Sequence, residues 1–466
     1  MRVDDFFFGK SALELEKLLN TGAVTPSHLL RAMLRRIASS DPALFTHLTA
    51  ARAEVEAAAA SRRYLEGRPL GILDGVPVAW KDLFDLQGEI TRAGSLVLDN
   101  GPAPRDAELV RRIAACGAVT TGKLNMTEFA FSGLGLNPHF GTPRNPWAGG
   151  EDRIPGGSSS GSAVAVALGL VPIAIGTDTS GSVRIPAAFN GVVGFKPSGG
   201  RWPLDGAFPL SRTLDTAGVL TRTVADAVVV DAAACGRPPS EDLPDIDGQI
   251  RLVVPTNAVW DSVDADVAKN FKETVRRLED GGVRIERRRL PVLDEVLSVA
   301  SQHGALVGKE AFELHRSRLD SPAAERMDPR VRTRMLLGNH MSTASEKIVR
   351  QARLDLIDAM ADLFDGTTFV GYPTVAIAAP LLRPLELDDH LFASTNMLVL
   401  RNTLIGSFLD WCGISIPNGF DDNGIPTGFL LSGGPGSDHA LLALATRIET
   451  MVRGGQSFDF VHHNRG

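Results

Sequence analysis

Over the first 70 residues, apolar side chains recur every three or four positions, the spacing of one helix face. Ser11 stands where it can cap a segment running to Leu19. Thr25-Pro26 opens a second, with Leu29, Leu30, Met33, Leu34 and Ile37 on one side. A hydroxyl cap satisfies an amide with no partner inside the helix, and a proline in the first turn removes one. The alanine-rich stretch 49–65 reads as a third helix. After Gly71 the texture changes. Short apolar runs at 76–80, 118–121, 171–175 and 192–195 alternate with helical segments such as 106–116 and with Gly/Pro punctuation. That alternation predicts an α/β layered fold around a central mixed sheet with helices on both faces.

Further along, 238–249 is polar and rich in proline and aspartate, and reads as a loop or hinge. The stretches 252–255 and 369–379 read as strands, and 264–278, 345–363 and 438–451 as helices. No linker is long or flexible enough to separate two folding units, so the pattern predicts one large domain over 1–466.

Composition narrows the function classes. The chain has 48 Lys and Arg against 55 Asp and Glu, a net charge of −7, which gives no electrostatic reason to bind nucleic acid or an acidic membrane. The basic clusters Arg35-Arg36, Arg111-Arg112 and Arg287-Arg288-Arg289 are short and scattered, as solvated faces are. Cys116, Cys235 and Cys412 are far apart and odd in number, which points to a reducing, cytoplasmic setting rather than to a disulfide framework. The start of the chain has no apolar core of signal-peptide length, and the richest apolar run, 163–175, is broken by Gly169 and Pro172. No His, Cys and carboxylate cluster has metal-ligand spacing, so neither metal nor other cofactor is expected.

The chemistry concentrates between Pro155 and Pro197. Gly156-Gly157-Ser158-Ser159-Ser160-Gly161-Ser162 precedes a helical segment and an apolar strand, after which comes Gly176-Thr177-Asp178-Thr179-Ser180-Gly181-Ser182-Val183-Arg184-Ile185-Pro186. Two Gly/Ser loops around one helix–strand unit can aim several backbone N–H groups at one point and leave room for a reacting group. Two shorter matches fail on context. Gly157 to Gly161 fits G-x-S-x-G, but that elbow needs a strand running into it, and a polar loop precedes it here. Gly117 to Leu124 resembles a phosphate-binding loop, yet Leu124 replaces the magnesium-binding hydroxyl, and Gly117 ends a helix instead of opening one.

Several ordered motifs are similar to the amidase signature family. They are Gly75-Val76-Pro77-Val78-Ala79-Trp80-Lys81-Asp82, Gly122-Lys123-Leu124-Asn125-Met126-Thr127-Glu128-Phe129, the two Gly/Ser loops, and Gly194-Phe195-Lys196-Pro197. Ser158 and Ser182 lie 24 positions apart, the separation the family keeps between its two serines. The resemblance is concentrated between about residues 70 and 200 and is weaker toward the C-terminus. It implies the amidase signature fold, with 1–70 as a helical N-terminal part, 71–235 as the catalytic core, and 250–466 as a helix-rich, substrate-determining half that completes the sheet. It implies a Ser–cisSer–Lys triad at Ser182, Ser158 and Lys81, with a cis peptide between Gly157 and Ser158. The backbone N–H groups of Thr179, Ser180, Gly181 and Ser182 fall on the family's oxyanion hole. Ser160 and Ser180 depart from the pattern, standing where glycine is usual. Phe131, Ser132 and Gly133 are expected at the substrate, and Arg184, like Arg401, could hold a carboxylate or form a structural ion pair.

Amide hydrolysis needs a nucleophile, a proton carrier for a poor leaving group and donors for the developing oxyanion. Lysine serves as a base only when neutral, which requires a pKa well below about 10.4. Burial supplies that shift, provided Asp82, the next residue, points away as successive strand residues do. The histidines lie in no catalytic context. His139, near Glu128, is the only one expected close to the pocket, in a structural or lining role. The resemblance implies hydrolysis of the C–N bond of a small-molecule amide through a Ser182 acyl-enzyme, releasing ammonia or an amine. Alternatives are the glutaminase-type amidase component of a tRNA-dependent amidotransferase and a urea-type enzyme such as an allophanate hydrolase. No membrane or nucleic-acid partner is expected, and a homodimer is compatible with the reading.

Overall fold

The computed structural model describes residues 7–98, 101–239, 243 and 250–460. Its strands are β1 (Phe45–Leu48), β2 (Pro77–Lys81), β3 (Val119–Leu124), β4 (Ile173–Asp178), β5 (Val193–Lys196), β6 (Thr216–Thr221), β7 (Arg251–Pro255), β8 (Arg284–Arg288), β9 (Thr368–Pro373), β10 (Cys412–Phe420) and β11 (Pro426–Gly433). They form one sheet in the order β1-β3-β2-β4-β6-β5-β10-β11-β9-β7-β8. The pairs β2–β3, β2–β4, β7–β9 and β7–β8 are parallel and the others antiparallel. The mixed sheet of an α/β fold is therefore present, and the β5–β10 pairing joins the two halves of the chain through it.

Alternation along β4 accounts for the layers. Ile173 and Ile175 pack into the cluster that contains Val224, Val228 and Leu442, while Ala174 packs on the other face with Ala163 and Ala167. Side chains two apart share a sheet face, so helices Val224–Ala234 and Asp438–Arg453 cover one side and Ser160–Ala167 the other. The last of these is buried at every position and is made of small and apolar residues only. The N-terminal helices form where their caps indicate. Ser11 makes a capping box with Glu14 ahead of Ala12–Asn20, and the Thr25 hydroxyl accepts from His28 N–H ahead of Pro26–Ala38. Among the described residues, no helix is long and apolar enough to cross a membrane.

Several boundaries differ from the sequence pattern. The N-terminal part is not wholly helical: β1 lies within it and pairs antiparallel with β3. The run 369–379 is a strand only as far as Pro373 and leaves the sheet there. The helix expected over 345–363 starts at Thr343 and gives way to a 3-10 turn, Ala361–Leu363. β6 and the β10–β11 hairpin form where the apolar pattern predicts no strand. The proposed hinge 238–249 falls almost entirely outside the described residues.

Candidate active site

Lys81 is the last residue of β2, an inner strand flanked by β3 and β4. Its side chain is fully buried, and Nζ donates to Ser158 Oγ at 2.7 Å and to Thr177 Oγ1 at 2.9 Å. Asp82 turns away as expected: its carboxylate meets Lys123 Nζ at 3.0 Å and accepts from Thr46 Oγ1 at 2.8 Å. Lys81 thus has hydroxyl partners and, among the described residues, no carboxylate in contact. Burial lowers its pKa to about 7, against a smaller opposing pull from Asp215 and Asp178. A lysine with that pKa is neutral in a large fraction of molecules at neutral pH and can accept a proton.

Both Gly/Ser loops converge here. The Gly157–Ser158 peptide is cis. Ser159 N–H donates to Ser182 O at 3.2 Å, so the two loops are joined next to their candidate serines. Ser182 is 4% exposed and lines a cavity, while Ser158 and Lys81 are fully buried and absent from its wall. The three are therefore layered: a serine at the cavity, a serine behind the wall, and a lysine bonded to it. Ser158 and Ser182 are not directly hydrogen-bonded side chain to side chain, a contact that often tightens only when substrate binds. Ser159, which a motif search would select, is fully buried, and its hydroxyl donates to Thr177 O at 3.3 Å. No strand runs into it, because Ser159 is the residue before helix Ser160–Ala167 and follows a loop.

The turn after β4 is organised by Asp178. Its carboxylate accepts from Gly181 N–H at 2.6 Å, from Val183 N–H at 3.2 Å and from the Arg184 guanidinium at 2.9 Å. Burial alone would raise this carboxyl, but Arg184 and Lys196 hold it below the usual range. Two expectations are corrected by these contacts. Gly181 N–H is committed to Asp178 and is not offered to the cavity. Arg184 is fully buried, bonded to Asp178 and to Ser407 Oγ at 2.8 Å, and does not reach the cavity, so it holds no substrate carboxylate. Arg401 is likewise occupied, donating to the carbonyls of Val259 and Asp261. The N–H groups of Thr179, Ser180 and Ser182 have no acceptor among the described residues. Glycine is needed at 181, where φ is +137° and a Cβ would fall 2.1 Å from Thr403 Oγ1. Ser180 and Ser160 keep negative φ, so neither needs a glycine there.

The cavity in front of Ser182 has a volume of about 120 Å³. Phe131 and Ser132 line it together with Thr179, Ser180 and Arg334, and most of the remaining wall is aliphatic. Gly133 is a third correction. Its N–H bonds Asn396 Oδ1 at 2.8 Å and its carbonyl accepts from Gly157 N–H at 2.8 Å, so it supports the loop from behind the wall. His139 also stays off the wall and makes an ion contact with Glu128 at 3.2 Å that raises its pKa.

Four participants were missed in the sequence. Thr177 and Asp178 lie inside a quoted motif without an assigned role. Asp215 accepts from Thr179 Oγ1 at 2.5 Å and sits within electrostatic reach of Lys81, but no pattern surrounds it. Arg334 lies on helix Pro329–Leu337, whose mixed sequence carries no motif.

Known proteins place nearly the whole chain. The family model described as Amidase matches residues 28–442. The 2-amino-5-chloromuconic acid deaminase of Comamonas testosteroni is 37% identical, over 93% of this chain and 94% of that protein. A glutamyl-tRNA(Gln) amidotransferase subunit of Pseudomonas syringae pv. syringae (strain B728a) is 34% identical, over 90% of this chain and 92% of that protein. A solved amidase structure superposes with a TM-score of 0.85 at 34% identity, covering 95% of this chain and 100% of that one. A chain matched at this length, with a serine facing a cavity before a buried lysine, belongs to the amidase signature family and is an enzyme that hydrolyses amide C–N bonds.

Proposed function

We propose that this amidase acts on a small-molecule amide through a Ser182–Ser158–Lys81 relay. The observation that carries the reading is the 2.7 Å contact from Lys81 Nζ to Ser158 Oγ, made by a lysine with no carboxylate in contact. Neutral Lys81 accepts the Ser158 proton as Ser158 takes that of Ser182, whose Oγ attacks the amide carbon. The oxyanion lies toward the N–H groups of Thr179, Ser180 and Ser182, which are the donors left without protein acceptors. The tetrahedral adduct collapses, the C–N bond breaks, and the proton returns through Ser158 to the leaving nitrogen. Water then attacks the Ser182 ester by the same path, releasing the acid and restoring the hydroxyl.

A fluorophosphonate serine probe tests the assignment. It is expected to label the wild type and Ser159→Ala but not Ser182→Ala; labelling that survives Ser182→Ala removes the reading.

A second reaction at the same site is favoured by the relative named as a deaminase of an aminochloromuconic acid. Ammonia release from aliphatic, aryl, urea-type and dicarboxylic monoamides, with an aminomuconic acid in parallel, distinguishes the two. The amidotransferase reading instead predicts glutaminase activity that requires tRNA and partner chains. A cytoplasmic location fits the three free thiols.

A further inference from the structure

A guanidinium stands in the cavity wall without a counter-ion among the described residues. Arg334 lines the space that Ser182 faces. Its guanidinium carbon lies 4.4 Å from the centroid of the Phe131 ring, and Nη1 donates to the Phe131 carbonyl. No carboxylate lies within ion-pair distance of it among the described residues, and Nε and Nη2 make no bond to protein. Several other covered arginines have a carboxylate: Arg184 meets Asp178 at 2.9 Å, Arg201 meets Asp231 at 2.6 Å, and Arg52 meets Asp106 at 2.6 Å.

The acids where the Arg334 helix meets the Phe131 segment are bonded to one another's surroundings and not to Arg334. Glu128 accepts from Ser95 Oγ at 2.5 Å and from Asp328 N–H at 2.6 Å, and it contacts His139 at 3.2 Å. Asp328 caps the helix that carries Arg334, accepting from Arg330 N–H at 2.9 Å. Through Glu128 these bonds tie the Arg334 helix to the loop bearing Phe131, so the guanidinium is held in one place. Desolvation lowers Arg334 to about 10, which leaves it a cation at neutral pH. Arg334 is half-buried, and its planar fork suits a carboxylate. Around it the wall is apolar, with Leu210, Leu214, Leu306, Leu400 and Phe408.

We propose that Arg334 docks a carboxylate of the substrate, so that preferred substrates are monoamides of small dicarboxylic acids. The carboxylate sits on Arg334, a short apolar chain lies along the aliphatic wall, and the carboxamide reaches Ser182. The amide end of this pose rests on the triad reading above; the carboxylate end rests on Arg334 alone.

Two measurements test it. The first is the ratio of kcat/KM for a dicarboxylic monoamide to that for its methyl ester, which has the same chain without the charge. Replacing a charged hydrogen-bonding partner is expected to lower this ratio about 10- to 100-fold in Arg334→Gln, chiefly through KM, with partial recovery in Arg334→Lys. An unchanged ratio, or a wild type that does not prefer the acid, overturns the proposal. The second needs no turnover: calorimetric binding of the matching dicarboxylate to wild type, expected to be lost in Arg334→Gln. Equal binding by both proteins overturns the proposal whatever the fate of the triad. Thermal unfolding confirms that Arg334→Gln is folded; should it not be, Arg334→Lys carries both comparisons with a smaller expected drop. Turnover of neutral amides alone would leave the triad reading intact while removing this one, and probe labelling of Ser182→Ala would do the reverse.

Discussion

Two lysines lie at the ends of neighbouring strands, equally buried, and their surroundings give them opposite roles. Lys123 on β3 meets Asp82 at 3.0 Å and donates to Thr91 Oγ1 and Ile90 O. Lys81 on β2 meets two hydroxyls and no carboxylate. Burial depresses both, but a carboxylate in contact opposes it at Lys123, whereas at Lys81 the opposing charges act from a distance. Burial alone therefore does not make a base. The partner decides, and Asp82 is kept from Lys81 by being engaged with the next strand.

The contrast can be broken most severely at Lys81. Lys81→Ala is expected to lower turnover by about 10³-fold or more, measured as ammonia release on any accepted amide. A variant with near-full turnover would show that Lys81 is only another buried lysine. Lys123→Met should act on stability instead. It leaves the Asp82 carboxylate buried without its cation, a loss of about 3–5 kcal/mol read from denaturant unfolding, while folded protein keeps its kcat because Lys123 bonds Asp82, Thr91 and Ile90 and none of the relay residues.

A smaller effect sharpens the comparison through pH. Below about 7 Lys81 is protonated and cannot accept a proton, so kcat/KM should fall on the acid side by about tenfold per pH unit. An acid limb lying well above or well below that pH would assign the base elsewhere. The smallest change is expected from Asp215→Asn. The Asp215 charge favours the ammonium form of Lys81, so its removal should move the acid limb to lower pH; a shift to higher pH would mean that the two groups do not interact as described.

The elements that position the chemistry were largely readable along the chain. Ser11 and Thr25 cap helices, and β2, β3, β4 and β5 fall on the short apolar runs, because caps and strand alternation are local effects. β1 does not stand out along the chain, since its pairing depends on a partner far away in sequence. Phe45, for example, pairs with Leu124. The errors at the site have a similar origin. Gly181 and Arg184 sit in the right motif, but each has donors claimed by Asp178, and a motif does not reveal which donors have already been used. Gly133 follows Phe131 and Ser132 directly, yet Asn396, on a helix more than two hundred residues later, holds its N–H.

The motif resemblance was enough to single out Ser182, Ser158 and Lys81 as the proposed relay. Those choices rest on spacing within short motifs, and the loop backbone that presents them is specified locally by small residues. Only folding decides what surrounds them. The hydroxyl partners of Lys81, the diversion of Asp82 to Lys123 and the seating of Arg334 over Phe131 all join segments distant in sequence. Electrostatics depends on distance in space and on exclusion of water, and neither is written in the order of residues.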